Sequence, residues 1–206
     1  YGAGSAAFGI AEIIIQKMVQ EGMDIGNARR KICFFDSRGL VVKGRSNLTN
    51  QKMLYAHELA EESNLESAID SLQPNILIGV SGQGGAFSEP IVRKMGEIND
   101  RPIIFALSNP TSKSECTAEQ AYTWTKGKAI FVSGSPFNPV TYGENTFSPG
   151  QGNNAYIFPG VGLGVVVSKS SQITDDMFIA AADTLADLVS EEDLAKGRLY
   201  PSLAKI

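Results

Sequence analysis

A chain of 206 residues, 43% hydrophobic and 19% charged, has room for one substantial core and the composition of an ordinary soluble globular domain. Its net charge of −4 argues against a nucleic-acid binder built on a global basic surface. The longest apolar run, residues 155–167, contains a proline and three glycines and falls short of a bilayer helix, which needs roughly twenty residues. His57 is the lone histidine, so these residues assemble no His-based triad and no imidazole metal cage. His57 reads as a structural residue beside Glu58, and Cys33 and Cys116, with no CxxC pattern, read as reduced thiols.

The chain opens on Tyr1-Gly2-Ala3-Gly4-Ser5-Ala6-Ala7, a G-x-G-x-x-A pattern that runs into the apolar-periodic residues 10–18. Missing side chains let backbone N–H groups and a helix N-terminus approach a pyrophosphate, so Gly2, Gly4, Ser5, Ala6 and Ala7 form the candidate phosphate cradle. Ile10, Ile13, Ile14 and Met18 are expected to make the buried face of that helix, and Gly22 to end it. The glycine turn of such a fold follows a buried strand, and only Tyr1 stands before this one. The first strand is therefore expected to lie outside the chain, which reads as a piece of a larger unit.

Residues 31–36 read as a short apolar strand ending in Asp36, a carboxylate able to accept bonds from an adenosine ribose. Asp36 lies further from the glycines than the roughly twenty residues of the usual fingerprint. Arg29, Arg30, Lys31, Arg38, Lys43, Arg45 and Lys52 crowd this stretch, in which Asp36 is the only acid. Such a patch is either a solvated basic face or a site for an extra phosphate.

After an extended piece at residues 40–45, Leu65, Ala68, Ile69 and Leu72 repeat at helical spacing, and Pro74 ends that helix. Residues 75–80 form an apolar run typical of a parallel strand buried on both faces, and a second glycine-rich loop follows directly. Ser88 reads as the N-cap of a helix carrying Ile91, Val92 and Met95. Residues 102–107 are the next buried strand, ending in Ser108-Asn109-Pro110-Thr111, where open α/β sheets place their ligand crevice. Thr117 and Gln120 form a capping box, and residues 129–132 another strand. Residues 139–154 show little periodicity and read as a long functional loop.

From Tyr156 through Val167 a buried helix is expected; Thr174 then caps one with Phe178, Ala181, Ala182 and Leu185 inward. Ser190 and Asp193 open a last helix that Gly197 ends, and residues 199–206 carry no closing element. Strands alternating with helices predict an α/β fold: a doubly wound parallel sheet of Rossmann-like dinucleotide-binding type, one domain over residues 1–206, with the polar loops at one edge.

Five segments in this order strongly resemble the cofactor domain of malic enzymes: Gly2-Ala3-Gly4-Ser5-Ala6-Ala7-Phe8-Gly9-Ile10-Ala11, Asp36-Ser37-Arg38-Gly39-Leu40-Val41-Val42-Lys43-Gly44-Arg45, Phe105-Ala106-Leu107-Ser108-Asn109-Pro110-Thr111, Ser133-Gly134-Ser135-Pro136-Phe137 and Pro149-Gly150-Gln151-Gly152-Asn153-Asn154. The resemblance covers nearly the whole chain. It implies an enzyme that oxidatively decarboxylates malate to pyruvate and CO2, passes hydride to NAD(P), and uses magnesium or manganese to polarise the substrate oxygen. It also places the lysine base, the tyrosine acid and the metal-binding carboxylates ahead of the glycine loop, so no catalytic or metal-binding residue is expected in this chain.

Residue by residue, the resemblance implies that the glycine loop takes the pyrophosphate and that Asp36 sits by the adenosine ribose. Val80, Ser81, Gly82, Gln83 and Gly84 then line the nicotinamide side. Asn109 and Asn154 match asparagines that contact malate and the nicotinamide, and Asn153 stands beside them as a further cofactor contact. Amides suit this task, since they donate to a carboxylate or hydroxyl and accept from a carboxamide. An acid such as Asp36 argues for NAD. The Arg38 fork, the Ser37 hydroxyl and Lys52, at the position where NADP-using malic enzymes carry a phosphate-binding lysine, argue for NADP. NADP is the expectation and NAD the alternative. For the complete protein the expectation is a cytoplasmic homo-oligomer, dimer or tetramer, with mitochondrial matrix or plastid as alternative compartments. Two rival readings are a catalytically silent dinucleotide-binding or regulatory module, and an amino-acid or folate dehydrogenase. The second would leave the Asn-Pro-Thr and Gly-Gln-Gly-Asn-Asn loops as coincidences.

Overall fold

The computed structural model describes residues 1–201 and 206. Helices α1 (Ser5–Gln20) and α2 (Ile25–Arg30) lead into an antiparallel ribbon of β1 (Phe35–Asp36) and β2 (Gly39–Leu40), with Asp36 opposite Gly39. Helices α3 (Asn50–Met53) and α4 (Leu65–Leu72) precede β3 (Ile76–Gly79). Strand and helix then alternate through α5 (Glu89–Ile98), β4 (Ile103–Ala106), α6 (Ala118–Trp124) and β5 (Ile130–Ser133). A hairpin of β6 (Val140–Tyr142) and β7 (Asn145–Phe147) comes before β8 (Gly150–Gln151), and α7 (Phe158–Ser168), α8 (Asp175–Asp187) and α9 (Glu191–Ala195) follow.

The central sheet runs β3-β4-β5-β8, all parallel, with Ile103 of β4 opposite both Ile76 and Ile130. Crossover helices cover most of it, so β3, β4 and β5 are apolar runs, and Ile104, Phe131 and Val132 are fully buried. Strand β3 is not buried on both faces as expected, since Ile76 is exposed and Ile78 half-buried. Ile91, Val92 and Met95 of α5 and Ala118, Ala121 and Tyr122 of α6 join them in one core. Tyr1 extends this sheet: its amino group donates to Ile78 O at 2.6 Å and its carbonyl accepts from Val80 N at 2.9 Å. Gly2 N in turn donates to Phe35 O at 2.8 Å. The lateral order is therefore β1, Tyr1, β3, β4, β5, β8, the succession of a doubly wound dinucleotide fold.

A second core forms under α1, where Phe8, Phe34 and Tyr55 meet with ring centroids 4.8 to 5.8 Å apart. Each buried ring of this size contributes about 1.5–3 kcal/mol. Here the helix presents Ala7, Phe8, Ala11 and Ile15, whereas Ile10, Ile13, Ile14 and Met18, the expected buried face, are half-buried. The segment is apolar around most of its circumference, so periodicity alone does not select a side. Two alanines let the helix backbone come close to the strand ends, and the aromatic cluster decides the rotation.

Other expectations are met or corrected. The capping boxes of Thr117 with Gln120 and Ser190 with Asp193 are both formed. Ser88 and Thr174 stand at the N-cap positions without a side-chain cap bond. The strand expected over residues 31–36 is reduced to Phe35–Asp36, because Lys31 still belongs to the turn that closes α2 and only Phe35 and Asp36 pair with β2. The long loop at residues 139–154 contains the β6–β7 hairpin and β8, whose Gly150 and Gln151 pair with Val132 and Ser133.

Helix α7 is not buried: Leu163, Val166 and Val167 are at least 65% exposed and only Val161 is inside. On α8 Ile179 is buried and Ala182 exposed, with Phe178, Ala181 and Leu185 half-buried. An all-apolar segment needs cover on every side. The 154–156 turn and α8 supply it on one. His57 has the structural part expected of it, its Nε2 lying 2.8 Å from Ile32 O. Both cysteines are free, and burial, reinforced by the charge of Glu115, pushes the Cys116 thiol up to about 12. Residues 202–205 of the terminal stretch expected to lack a closing element lie outside the described residues.

Candidate dinucleotide site

The N-terminus of α1 is open. Gly4 stands at the N-cap in extended conformation, no side chain caps the helix, and its first turn carries no acid. The leading N–H groups of a 16-residue helix are thus left with their positive partial charge facing outward. Gly4, Ser5 and Ala6 are exposed, and a Cβ built on Gly4 would meet nothing within 4 Å. Packing within the described residues therefore does not require a glycine here, whereas close approach of a ligand phosphate would. Gly2 is different. Its φ of +110° and its distance of 3.0 Å from a built Cβ to Val80 O leave no place for a side chain as the backbone turns between the ends of β1 and β3. Ala7 lies inside the α1 core.

On one flank of this turn, Asp36 is clasped. Arg45 Nη2 reaches its carboxylate at 3.0 Å and Lys52 Nζ at 2.5 Å, while Arg38 N–H donates at 2.9 Å. Burial alone would raise the acid; the Arg45 and Lys52 bonds, with the Arg38 amide, overcome it and hold Asp36 down at about 2. Arg45 also donates from Nη1 to Gly39 O at 3.0 Å and Leu40 O at 3.1 Å, so its fork joins the acid to the β1–β2 ribbon. In the sequence Arg45 reads as one of seven cations and as the end of the segment that opens at Asp36, not as the partner of that acid. The other cations separate: Lys43 pairs with Glu58 at 2.7 Å and Arg30 bonds Asn27. Ser37 and Arg38 are exposed at the ribbon turn, and the Arg38 guanidinium has no partner among the described residues.

On the other flank lies the loop after β3. Gly82 N donates to Ser108 Oγ at 2.8 Å, Gln83 Oε1 accepts from Tyr1 Oη at 3.0 Å, and Ser81 bonds Glu115 through both N–H and hydroxyl. A Cβ on Gly84 would lie 2.3 Å from Ser112 O, so this loop is pressed directly on the segment after β4. Ser108 and Glu115 are buried; Ser108 opens the Ser-Asn-Pro-Thr turn read from the sequence, whereas no pattern there singles out Glu115.

The asparagines stand at the same sheet edge in different states. Asn109 is exposed, accepts from Ser135 Oγ at 3.0 Å and follows Ser108 directly. Asn153 Oδ1 is engaged by Ala155 N–H at 2.9 Å, capping the 3-10 turn Asn154–Tyr156. Asn154 is exposed, and its amide has no partner among the described residues. Gly152 N donates to Ser133 O at 2.8 Å, which brings this segment up beside the end of β5.

The chemistry of the edge is binding chemistry. A cradle of free N–H groups, a clasped acid with excess positive charge and exposed amides suit a long anionic ligand laid across strand ends. Among the described residues no group of three or more His, Cys, Asp or Glu side chains could hold a metal ion, so the site does not fit one. No helix among them is long and apolar enough to cross a membrane.

Comparison with known proteins agrees with this geometry. Residues 1–206 match the family described as malic enzyme, NAD binding domain. The chain is 53% identical over 206 residues to the NADP-dependent malic enzyme of Mus musculus and 54% to that of Homo sapiens, covering all of this chain and 36% of each relative. It is 49% identical over 207 residues to NADP-dependent malic enzyme 3 of Arabidopsis thaliana, covering 35% of that protein. The chain thus spans about a third of the length of the curated relatives it matches. Sequence, sheet order and site geometry converge, and the chain belongs to the malic enzyme family as its nicotinamide-dinucleotide-binding domain.

Proposed function

We propose that these residues are the cofactor-holding part of an enzyme that oxidatively decarboxylates malate to pyruvate and CO2, and that its cofactor is NADP. The observation that carries this reading is the uncapped N-terminus of α1 between Asp36 and the loop at residues 80–84, with Gly4 leaving its approach clear. In this reading Gly2, Gly4, Ser5, Ala6 and Ala7 form the turn that receives the pyrophosphate, and residues 80–84 take the nicotinamide end. Asn109 and Asn154 meet the substrate and carboxamide. Asn153, its side-chain oxygen already used in a cap, serves mainly to shape the turn that carries Asn154.

The choice of NADP is supported by charge. Arg45 and Lys52 hold the single carboxylate of Asp36, and the exposed Arg38 follows two residues on in the ribbon turn, so the ribose end of the site carries an excess of positive charge. In a partly exposed site that excess favours a 2′-phosphate by roughly 1–3 kcal/mol, or about ten- to hundred-fold. The relatives named above are NADP-dependent by name. The metal, magnesium or manganese, and the groups that move protons belong to other parts of the complete protein, which is a homo-oligomer in this reading. A silent regulatory module is the less supported alternative, since the family match runs over residues 1–206 and the relatives named above are malic enzymes by name.

The deciding experiment is malate-dependent reduction of NADP+ and of NAD+ by the full-length protein in manganese. Turnover with a higher kcat/KM for NADP+ is the expected result; no malate-dependent reduction with either dinucleotide would overturn the reading.

A further inference from the structure

Glu115 lies seven residues after Ser108 and is fully buried. Its carboxylate receives four donors from two different loops: Ser81 N at 3.1 Å, Ser81 Oγ at 3.2 Å, Ser108 Oγ at 2.5 Å and Ser108 N at 3.3 Å. No Lys, Arg or His side chain lies within 4 Å of it among the described residues. Gly79 makes the space, since a Cβ there would fall 2.5 Å from Glu115 Cδ. The network continues outward, for Gly82 N donates to the Ser108 hydroxyl that itself bonds Glu115. Phe87 N–H donates to Glu115 O at 2.9 Å and Gly85 N–H to Ser114 O at 3.0 Å, so the loop after β3 lies along the segment that contains the acid.

A buried carboxylate is a costly way to fill a core, and an apolar residue of like volume often serves stability as well or better. What the carboxylate does that no apolar residue can is accept from both loops at once, at Oε1 from Ser81 and the Ser108 hydroxyl and at Oε2 from Ser108 N–H. An amide in its place keeps the shape but turns one acceptor into a donor, set against a serine N–H.

We propose that Glu115 is a positioning residue for hydride transfer: its carboxylate locks the nicotinamide-lining loop at residues 80–84 to Ser108, and through Ser108 to Asn109, so that cofactor and substrate contacts keep one mutual geometry. This rests on the assignment of residues 80–84 to the nicotinamide end. Hydride transfer is sensitive to such placement, because a misplacement of about 1 Å can cost on the order of a hundredfold in rate. The adenosine end, held by α1 and Asp36, lies outside the Glu115 network.

The test uses the full-length protein with Glu115→Gln and Ser108→Ala. Its readouts are kcat and KM for NADP+ with malate, the primary isotope effect with malate deuterated at the hydroxyl-bearing carbon, and Kd for NADP+ and for adenosine 2′,5′-bisphosphate. The proposal requires kcat/KM for NADP+ to fall about tenfold or more in Glu115→Gln and less in Ser108→Ala. The isotope effect must rise and NADP+ binding must weaken, with the bisphosphate Kd within about twofold of wild type. Unchanged kinetics, or equal weakening of both ligands, would overturn it, the latter showing a merely structural acid. Should Glu115→Gln fail to fold, Ser108→Ala decides alone: its kcat/KM for NADP+ must fall at least about threefold and its isotope effect rise with the bisphosphate Kd unmoved, and unchanged kinetics or equal weakening of both ligands overturns the proposal. If the wild-type protein shows no malate turnover, the enzyme reading fails, and the contrast between the two Kd values still decides the role of Glu115.

Discussion

Lys52 Nζ lies 2.5 Å from Asp36 Oδ2, so the lysine expected to meet a 2′-phosphate is held by the acid expected to repel one. Arg45 holds the same carboxylate from 3.0 Å, and both partners of the acid are largely buried. A phosphate arriving beside this cluster meets an acid already neutralised and can take a share of Lys52 without leaving Asp36 unpaired.

Lys52→Gln should therefore lower the NADP+ to NAD+ ratio of kcat/KM by about ten- to hundred-fold, mostly through KM for NADP+. Steady-state kinetics with both dinucleotides on the full-length protein check it. An unchanged ratio would remove Lys52 as the selector and leave Arg38 as the remaining candidate.

Asp36 also links stability to acidity. Its folded pKa of about 2 is below its ordinary value of 3.8, so the folded state binds the proton less well than the unfolded one. The resulting stability, about 1–2 kcal/mol, is present above the ordinary value and is lost as pH falls from about 4 toward about 2. Urea unfolding of the wild type and Asp36→Asn over that range should show the wild type losing this increment while the variant lacks it. Parallel curves would show that the clasp contributes no such linkage.

Asn153 and Asn154 should part company. Asn154→Ala removes a free amide and is expected to raise KM for malate and lower kcat by a combined 1–3 kcal/mol or so, with dinucleotide Kd little changed. Asn153→Ala removes the cap on Ala155 N–H and should cost about 1 kcal/mol of local stability, read by amide exchange at residues 154–156. Wild-type kinetics in Asn154→Ala would show that this amide contacts no substrate.

Tyr122 is stacked on Phe147 with centroids 4.5 Å apart, and its buried hydroxyl has no hydrogen-bond partner among the described residues. Desolvation raises its phenol well above the ordinary range. Tyr122→Phe keeps the stack and deletes an unsatisfied polar atom, so thermal unfolding should shift upward or stay level, by 0 to about 2 kcal/mol. A clear loss of stability would mean that the hydroxyl has a partner in solution.

Much of this protein is written in local pattern. The strands at residues 76–79, 103–106 and 130–133 announce themselves as apolar runs because helices pack on a parallel sheet, even though Ile76 stays exposed. The boxes at Thr117 and Ser190 are legible because their bonds span three residues. The open glycine turn was likewise legible as loop followed by helix. What only the tertiary structure decided is non-local. Glu115 meets Ser81 across 34 residues, Tyr1 meets Gln83 across 82, and β8 joins β5 out of a stretch without periodicity. The rotation of α1 and the exposure of α7 depend on which neighbours are present, and a helix apolar on most sides does not record which of them it will face. Asp36 shows both levels: its place at a strand end follows from sequence, but its partner Arg45 emerges only when the β1–β2 ribbon folds the two together.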